Sequence, residues 1–379
     1  MQKRIRIVSI GIILIILLIS AIILNNNTNN KHTFKKDGIL YALSLDGKRI
    51  TSFPSKGLYK ANVSCEGADG RWLYDDWKLA IENITSDVVT CDIKFETIAK
   101  TYLNNYIAGL AGTTQGTGQV VNENGCRFEG KNPNNYVWFN NEYWRIIGVF
   151  DSSTHGQSNK NLVKIIRADV LDGLVWHKSD TNDWTAASLN SLLNGAYYNA
   201  QDGTRSGYCY GYSTAATANC DYTKKGIQSG YRSMVAKVTW YLGGSGTESA
   251  TVAKFYGYER GTTVYSGRPT STTGYIGLMY PSDYGYSVLS SSCARTTNLY
   301  SYNSNTCAGQ SWLYGKGDEF TLSPHSSNRV AVFILNYNGR VNNSGTSYGY
   351  AFRPVLYLDA SVYKIDGDGS LKNPYILGM

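Results

Sequence analysis

The residues best suited to chemistry crowd into the last third of the chain. Between Tyr286 and Tyr350 the sequence is dense in Tyr, Ser, Asn and Gly around Trp312, which is the composition of a binding loop. Aromatic rings give large contact area with few rotatable bonds, while Ser, Gly and Asn give adaptable hydrogen bonding. Trp312, Tyr337, Asn338, Arg340, Asn342 and Tyr348 form the candidate ligand-binding set. Their rings would stack on the C–H faces of sugars, their amides would bond hydroxyls, and Arg340 would meet a carboxylate or phosphate. The same composition also serves a turn-rich secreted domain as structure alone.

Catalytic and metal-binding patterns are sparse. Ser323-Pro324-His325 sets a hydroxyl beside an imidazole, but adjacency in sequence is not triad geometry. No His-Glu-x-x-His and no phosphate loop occurs. Asp366-Gly367-Asp368-Gly369-Ser370 has the alternating oxygens that open an EF-hand loop. It lacks the glycine at the sixth place and the glutamate at the twelfth, so it reads as a turn before the strand NPYIL. The expectation is therefore no catalytic residue, no metal ligand and no cofactor, with calcium the one ion worth testing.

Seven cysteines suit an oxidising compartment. Proximity pairs Cys65 with Cys91, Cys209 with Cys220 and Cys293 with Cys307, leaving Cys126 over, although other connectivities stay open. With four His and no C-x-x-C, a zinc site built from Cys and His is not expected.

The elements that must position these residues follow from length and pattern. At 379 residues the chain has room for two domains, one able to bury a large core. Abundant Gly (39) and Tyr (31) predict short strands and many turns. Residues 7–24, IVSIGIILIILLISAIIL, form an uncharged run of 18 behind Lys3, Arg4 and Arg6. That pattern reads as a signal anchor, a transmembrane helix holding the N-terminus inside and the bulk of the chain outside the cell. A cleaved signal peptide is the alternative, but Ser20-Ala21 followed by Ile22-Ile23-Leu24 is a poor cleavage site. Those three cations leave five of the eight net positive charges for the rest. No basic block with interleaved aromatics occurs, so nucleic acid is not an expected partner.

The expected order is an anchor over 1–24, a stalk over 25–36, a small β-sandwich-like module over 37–97, a helix and Gly-rich linker over 98–125, and a large domain over 126–379. In the module, Asp46-Gly47 marks a hairpin, and YKANVSC and VVTCDIKF alternate as strands. In the large domain, YVWFNNEYWRIIGVF is a hairpin turning at Asn140-Asn141, and LVKIIRAD is a strand. Apolar spacing predicts helices in ASLNSLLNGAYY, in IQSGYRSMVAKVTWYL and over Ala250–Tyr256. TGYIGLMYPSDYGYS reads as a strand ending in a turn. Asn338-Gly339 suits a two-residue type I′ turn, and Pro354 implies an edge or bulge.

The stretch EFTLSPHSSNRVAVFILNYNGRVNNSGTSYGYAFRPVLYL, Glu319 to Leu358, resembles the C-terminal half of C-type-lectin-like domains, including the formylglycine-generating-enzyme branch. Ala351-Phe352-Arg353 is similar to the Gly-Phe-Arg element that begins their last core strand. YWRIIGVF, GYIGLMYPSDYGYS and FRPVLYL resemble an uncharacterised family of anchored Gram-positive surface proteins. The resemblance implies an α+β lectin-like domain with mixed short strands and two to three helices. It also raises copper chemistry at Cys293 and Cys307, for which a loop-stapling disulfide is the plainer account. Asn182-Asp183-Trp184 is similar to a lectin calcium motif, yet Asp183 or Thr185 reads as a helix N-cap. The function expected is non-catalytic recognition of glycan, cell-wall or protein ligands from a single-pass cell-surface protein. An enzyme on the same scaffold and a structural envelope protein are the competing readings.

Overall fold

The computed structural model describes Ile15–Ile16, Phe34–Lys36 and residues 38–379 apart from 75, 213–217 and 316. Met1–Lys100 and Thr101–Met379 are two compact units. In the first, strand Ile39–Leu45 runs parallel to Val89–Thr97, which pairs antiparallel with Tyr59–Glu66. The alternation of VTCDIKFET turns Val89, Cys91, Ile93 and Phe95 inward, as a period of two requires. Hairpin Asp69–Leu73 and Lys78–Glu82 carries Trp72 into this core, with ring centroids 5.0 Å from Phe53 and 4.9 Å from Phe95. Asp46 and Gly47 take φ of 49° and 76°, as the Asp-Gly signal requires. Cys65 lies directly opposite Cys91 in the strand register, and the two are bonded.

The second unit is built mainly of two sheets. Hairpin Tyr136–Phe139 and Glu142–Phe150 turns at Asn140 and Asn141, with φ of 58° and 60°. Leu162–Arg167 lies between Glu142–Phe150 and Val355–Leu358. Both its neighbours are buried, so the run is apolar on both faces apart from Lys164 in its middle and Arg167 at its end. The other sheet orders Leu171–Val175, Gly349–Phe352, Glu319–Pro324, Ala331–Leu335 and Val341–Gly345. Pro354 falls where the chain leaves that sheet for Val355–Leu358, so its missing donor disturbs no ladder, and its carbonyl accepts from Arg167 N (3.1 Å). All three cysteine pairs expected from proximity are bonded, and Cys126 is buried and free.

Several expectations are corrected. The α+β class with a transmembrane helix gives way to a strand-rich architecture, 38% strand against 16% helix. The longest helix among the described residues is the eight-residue Val252–Glu259. Residues 7–24 lie outside the described residues except Ile15–Ile16, which are extended and pair with Ile81 and Ala80. No helix among the described residues is long and apolar enough to cross a membrane, so the single-pass membrane location is withdrawn. A β-branched pair such as Ile-Ile fits a pleated neighbour as readily as a helix, and hydropathy alone does not separate the two. Likewise IQSGYRSMVAKVTWYL is a 3-10 turn, Ser229–Met234, followed by strand Val238–Tyr241. Gly230 weakens the helix, and Val238 and Thr239 favour the strand. Pro281–Ser287 forms a helix where a turn was expected, with Pro at its first position.

Arg353 follows strand Gly349–Phe352 and is buried with Glu319. Its Nε and Nη2 donate to the two carboxylate oxygens at 2.7 and 2.8 Å, and Nη2 also donates to Leu313 O. Removing one partner strands the other charge in the core. Arg353→Ala is therefore expected to destabilise this unit by about 3–5 kcal/mol, read as a lower urea midpoint. An unchanged midpoint would show that the pair contributes nothing net.

Candidate functional site

The structure does not gather the six candidate residues into one face. Trp312 is 6% exposed; its Nε1 donates to Phe128 O (2.9 Å), and its ring covers the Arg145 guanidinium at 4.6 Å. It is core. Tyr337, Asn338 and Arg340 form the tip between strands Ala331–Leu335 and Val341–Gly345. That tip is longer than the expected two-residue turn: Asn336 accepts from Gly339 N and donates to Arg340 O, and Gly339 has φ of 86° while Asn338 stays outside the left-handed region. The Tyr337 ring is exposed, and Arg340 lies 5.6 Å from the Tyr300 ring. Asn342 sits within strand Val341–Gly345, its side chain accepting from Asn343 N.

Tyr348 belongs to a different surface. It lies between strands Val341–Gly345 and Gly349–Phe352, over Gly345, where a Cβ would come within 3.0 Å of its ring. On its other side is Tyr208-Cys209-Tyr210-Gly211-Tyr212, in which buried Cys209 is bonded to Cys220. Tyr210 O accepts from Val175 N, fixing this segment beside the sheet. Tyr212 and Tyr348 therefore stack, with centroids 5.6 Å apart and planes at 26°, although they are 62% and 46% exposed. Tyr350 continues the row 6.2 Å from Tyr348. Polar groups flank the rings: Ser344 bonds Tyr350 at 2.9 Å, Ser347 donates to Asp180, and Lys178 Nζ lies 5.1 Å from the Tyr210 ring. Tyr212 and Tyr350 escape sequence reasoning because strand pairing and a disulfide, not spacing, bring them together.

Among the described residues, the Ser323-Pro324-His325 hydroxyl and imidazole do not assemble into a nucleophile–base pair. Buried Ser323 Oγ has no hydrogen-bond partner, whereas His325 Nδ1 accepts from Ser327 N and its Nε2 is 3.9 Å from Glu248. Burial pushes the His325 pKa down. The sequence also holds one Gly-x-Ser-x-Gly match, Gly345-Thr346-Ser347-Tyr348-Gly349. It joins two strands rather than a strand and a helix, and Ser347 bonds Asp180 directly while nearby His177 Nδ1 accepts from Ser179 N. Among the described residues no group of three His, Cys, Asp or Glu could hold a metal ion. Asp368 accepts from Ser370 N in a turn, and Asp183 caps the short 3-10 helix Trp184–Ala186 through Thr185 N. Cys293 and Cys307 are bonded to each other.

Sequence reasoning also missed a buried ionic centre. Asp283 Oδ2 receives Lys164 Nζ at 2.5 Å and Oδ1 receives Arg127 Nη1 at 3.1 Å; all three side chains are 0–1% exposed. Next to it, Glu259 accepts from Ser282 N and Oγ and from Arg260. Burial pulls the Lys164 ammonium down to about 8 despite the Asp283 charge. Burial likewise pushes Glu259 up to about 7, against the pull of Arg260. Burial alone would raise Asp283, but the two cations together bring it down to about 2. The visible signal is a single lysine inside the apolar strand LVKIIR.

No family model, curated protein sequence or solved structure matches the chain.

Because Glu259 titrates higher when folded, its contribution to stability is full below about 4.5 and is lost as pH rises through about 7. Between those limits the folded protein should lose on the order of 3 kcal/mol from this group. Glu259→Gln should flatten that slope in denaturant midpoints measured across the range. An identical slope in the variant would place the titration elsewhere.

Proposed function

We propose that this protein is a non-catalytic, extracellular glycan-binding protein whose contact surface is the tyrosine row Tyr212, Tyr348 and Tyr350. The observation that carries the reading is the Tyr212–Tyr348 stack, which stays open to solvent although apolar rings gain by burial. Near-parallel exposed rings match the C–H faces of successive sugars. Ser344, Ser347, Asp180 and Lys178 alongside them match sugar hydroxyls and acidic substituents. Three disulfides suit an oxidising compartment outside the cytoplasm. Pinning the loop of Tyr212 through Cys209–Cys220 lowers the ordering cost of binding.

The test is a screen of the protein against soluble glycans and cell-wall fragments, with calcium and with a chelator. For a glycan that binds, Tyr348→Ala and Tyr212→Ala should each weaken affinity about tenfold or more, equivalent to about 1.4 kcal/mol. Tyr337→Ala, at the separate hairpin tip, should leave it unchanged. Full affinity in Tyr348→Ala, or binding only to a protein ligand, would defeat the reading.

A further inference from the structure

We propose that Lys164 and Asp283 are joined by an intramolecular amide bond, a cross-link between strand Leu162–Arg167 and helix Pro281–Ser287. Three observations converge. Lys164 Nζ and Asp283 Oδ2 are at contact distance, 2.5 Å, and neither side chain has any solvent exposure. The amine is enclosed by rings: Tyr280, Tyr357, Trp240 and Phe150 have centroids 4.5, 5.6, 5.7 and 5.9 Å from Nζ. The carboxylate is held rigidly from both sides, by Arg127 on Oδ1 and by Tyr280 N on Oδ2 at 2.9 Å.

Such a setting favours condensation. In water, an ammonium and a carboxylate are each well hydrated, and their amide is disfavoured. In this core the hydration is gone, and removing two charges from water costs several kcal/mol per ion before their attraction is counted. The reactants are also fixed against one another, which supplies the effective concentration that free reactants lack. In the reaction Lys164 Nζ bonds to Asp283 Cγ and one Cγ–O bond breaks. Two protons of the ammonium leave with that oxygen as water, so one water is released and nothing is oxidised or reduced. Net charge is unchanged, because one cation and one anion vanish together. Arg127 then donates to the amide carbonyl in place of the carboxylate. Glu259 accepts from the N and Oγ of Ser282, the residue before Asp283, and so holds the start of the helix that carries the carboxylate.

Mass spectrometry decides the matter on the natively folded full chain. After reduction and denaturation, the wild-type mass should fall one water below that of the corresponding linear chain. Digestion should yield a branched peptide joining the Lys164 and Asp283 segments. Lys164→Arg should restore the full linear mass and abolish the branched peptide. Should that variant fail to fold, the wild-type digest alone is decisive. Separate linear peptides bearing unmodified Lys164 and Asp283 from folded wild-type protein would overturn the proposal.

Discussion

The second unit is organised around one carboxylate. Asp283 reaches Lys164 and Arg127, which lie 119 and 156 residues away in sequence, and also accepts from Tyr280 N at the start of its own helix. A buried carboxylate without partners would protonate or unfold the region, so all three elements must arrive together. Strand Leu162–Arg167 supplies the lysine from the centre of the larger sheet, and Cys126–Asn132 supplies the arginine. Helix Pro281–Ser287, entirely buried, is placed by these contacts more than by its own length of seven residues.

The same rule of satisfied buried charge recurs across this unit. Glu319 with Arg353 fixes the second sheet, and Glu129 with Arg295 ties strand Cys126–Asn132 to the segment after the buried helix. Arg145 is held differently, donating to Asn135 Oδ1, Asn132 Oδ1 and Pro133 O between the faces of Tyr136 and Trp312. Trp312 therefore works as the lid of a cation inside the protein. Tyr212 and Tyr348, by contrast, stack on each other while remaining 62% and 46% exposed.

Much of the strand framework was legible from pattern. Val89–Thr97 alternates cleanly because one face is buried and the other wet, and the Asp46-Gly47 and Asn140-Asn141 turns announce themselves through residues that tolerate positive φ. Proximity also sufficed for the disulfides. Short helical stretches were less legible. Ser229–Met234 and Val238–Tyr241 share a helix-like apolar spacing, and only pairing of Val238–Tyr241 with Ser271–Gly274 turns the second half into a strand. Asn338-Gly339 looked like a two-residue turn, yet Asn336 closes a longer loop by bonding across it.

What the sequence determined by itself is local: alternation, turn chemistry, cysteine proximity and a surplus of tyrosine, all set by interactions among near neighbours. Which tyrosines face water, and which of them touch, was decided only by tertiary structure. Tyr212 and Tyr348 are 136 positions apart and meet because two strands pair and a disulfide pins the loop between them. The buried charges were decided at the same level. A lysine in an apolar strand is tolerable only where a carboxylate from another part of the chain meets it, and no local pattern records that meeting.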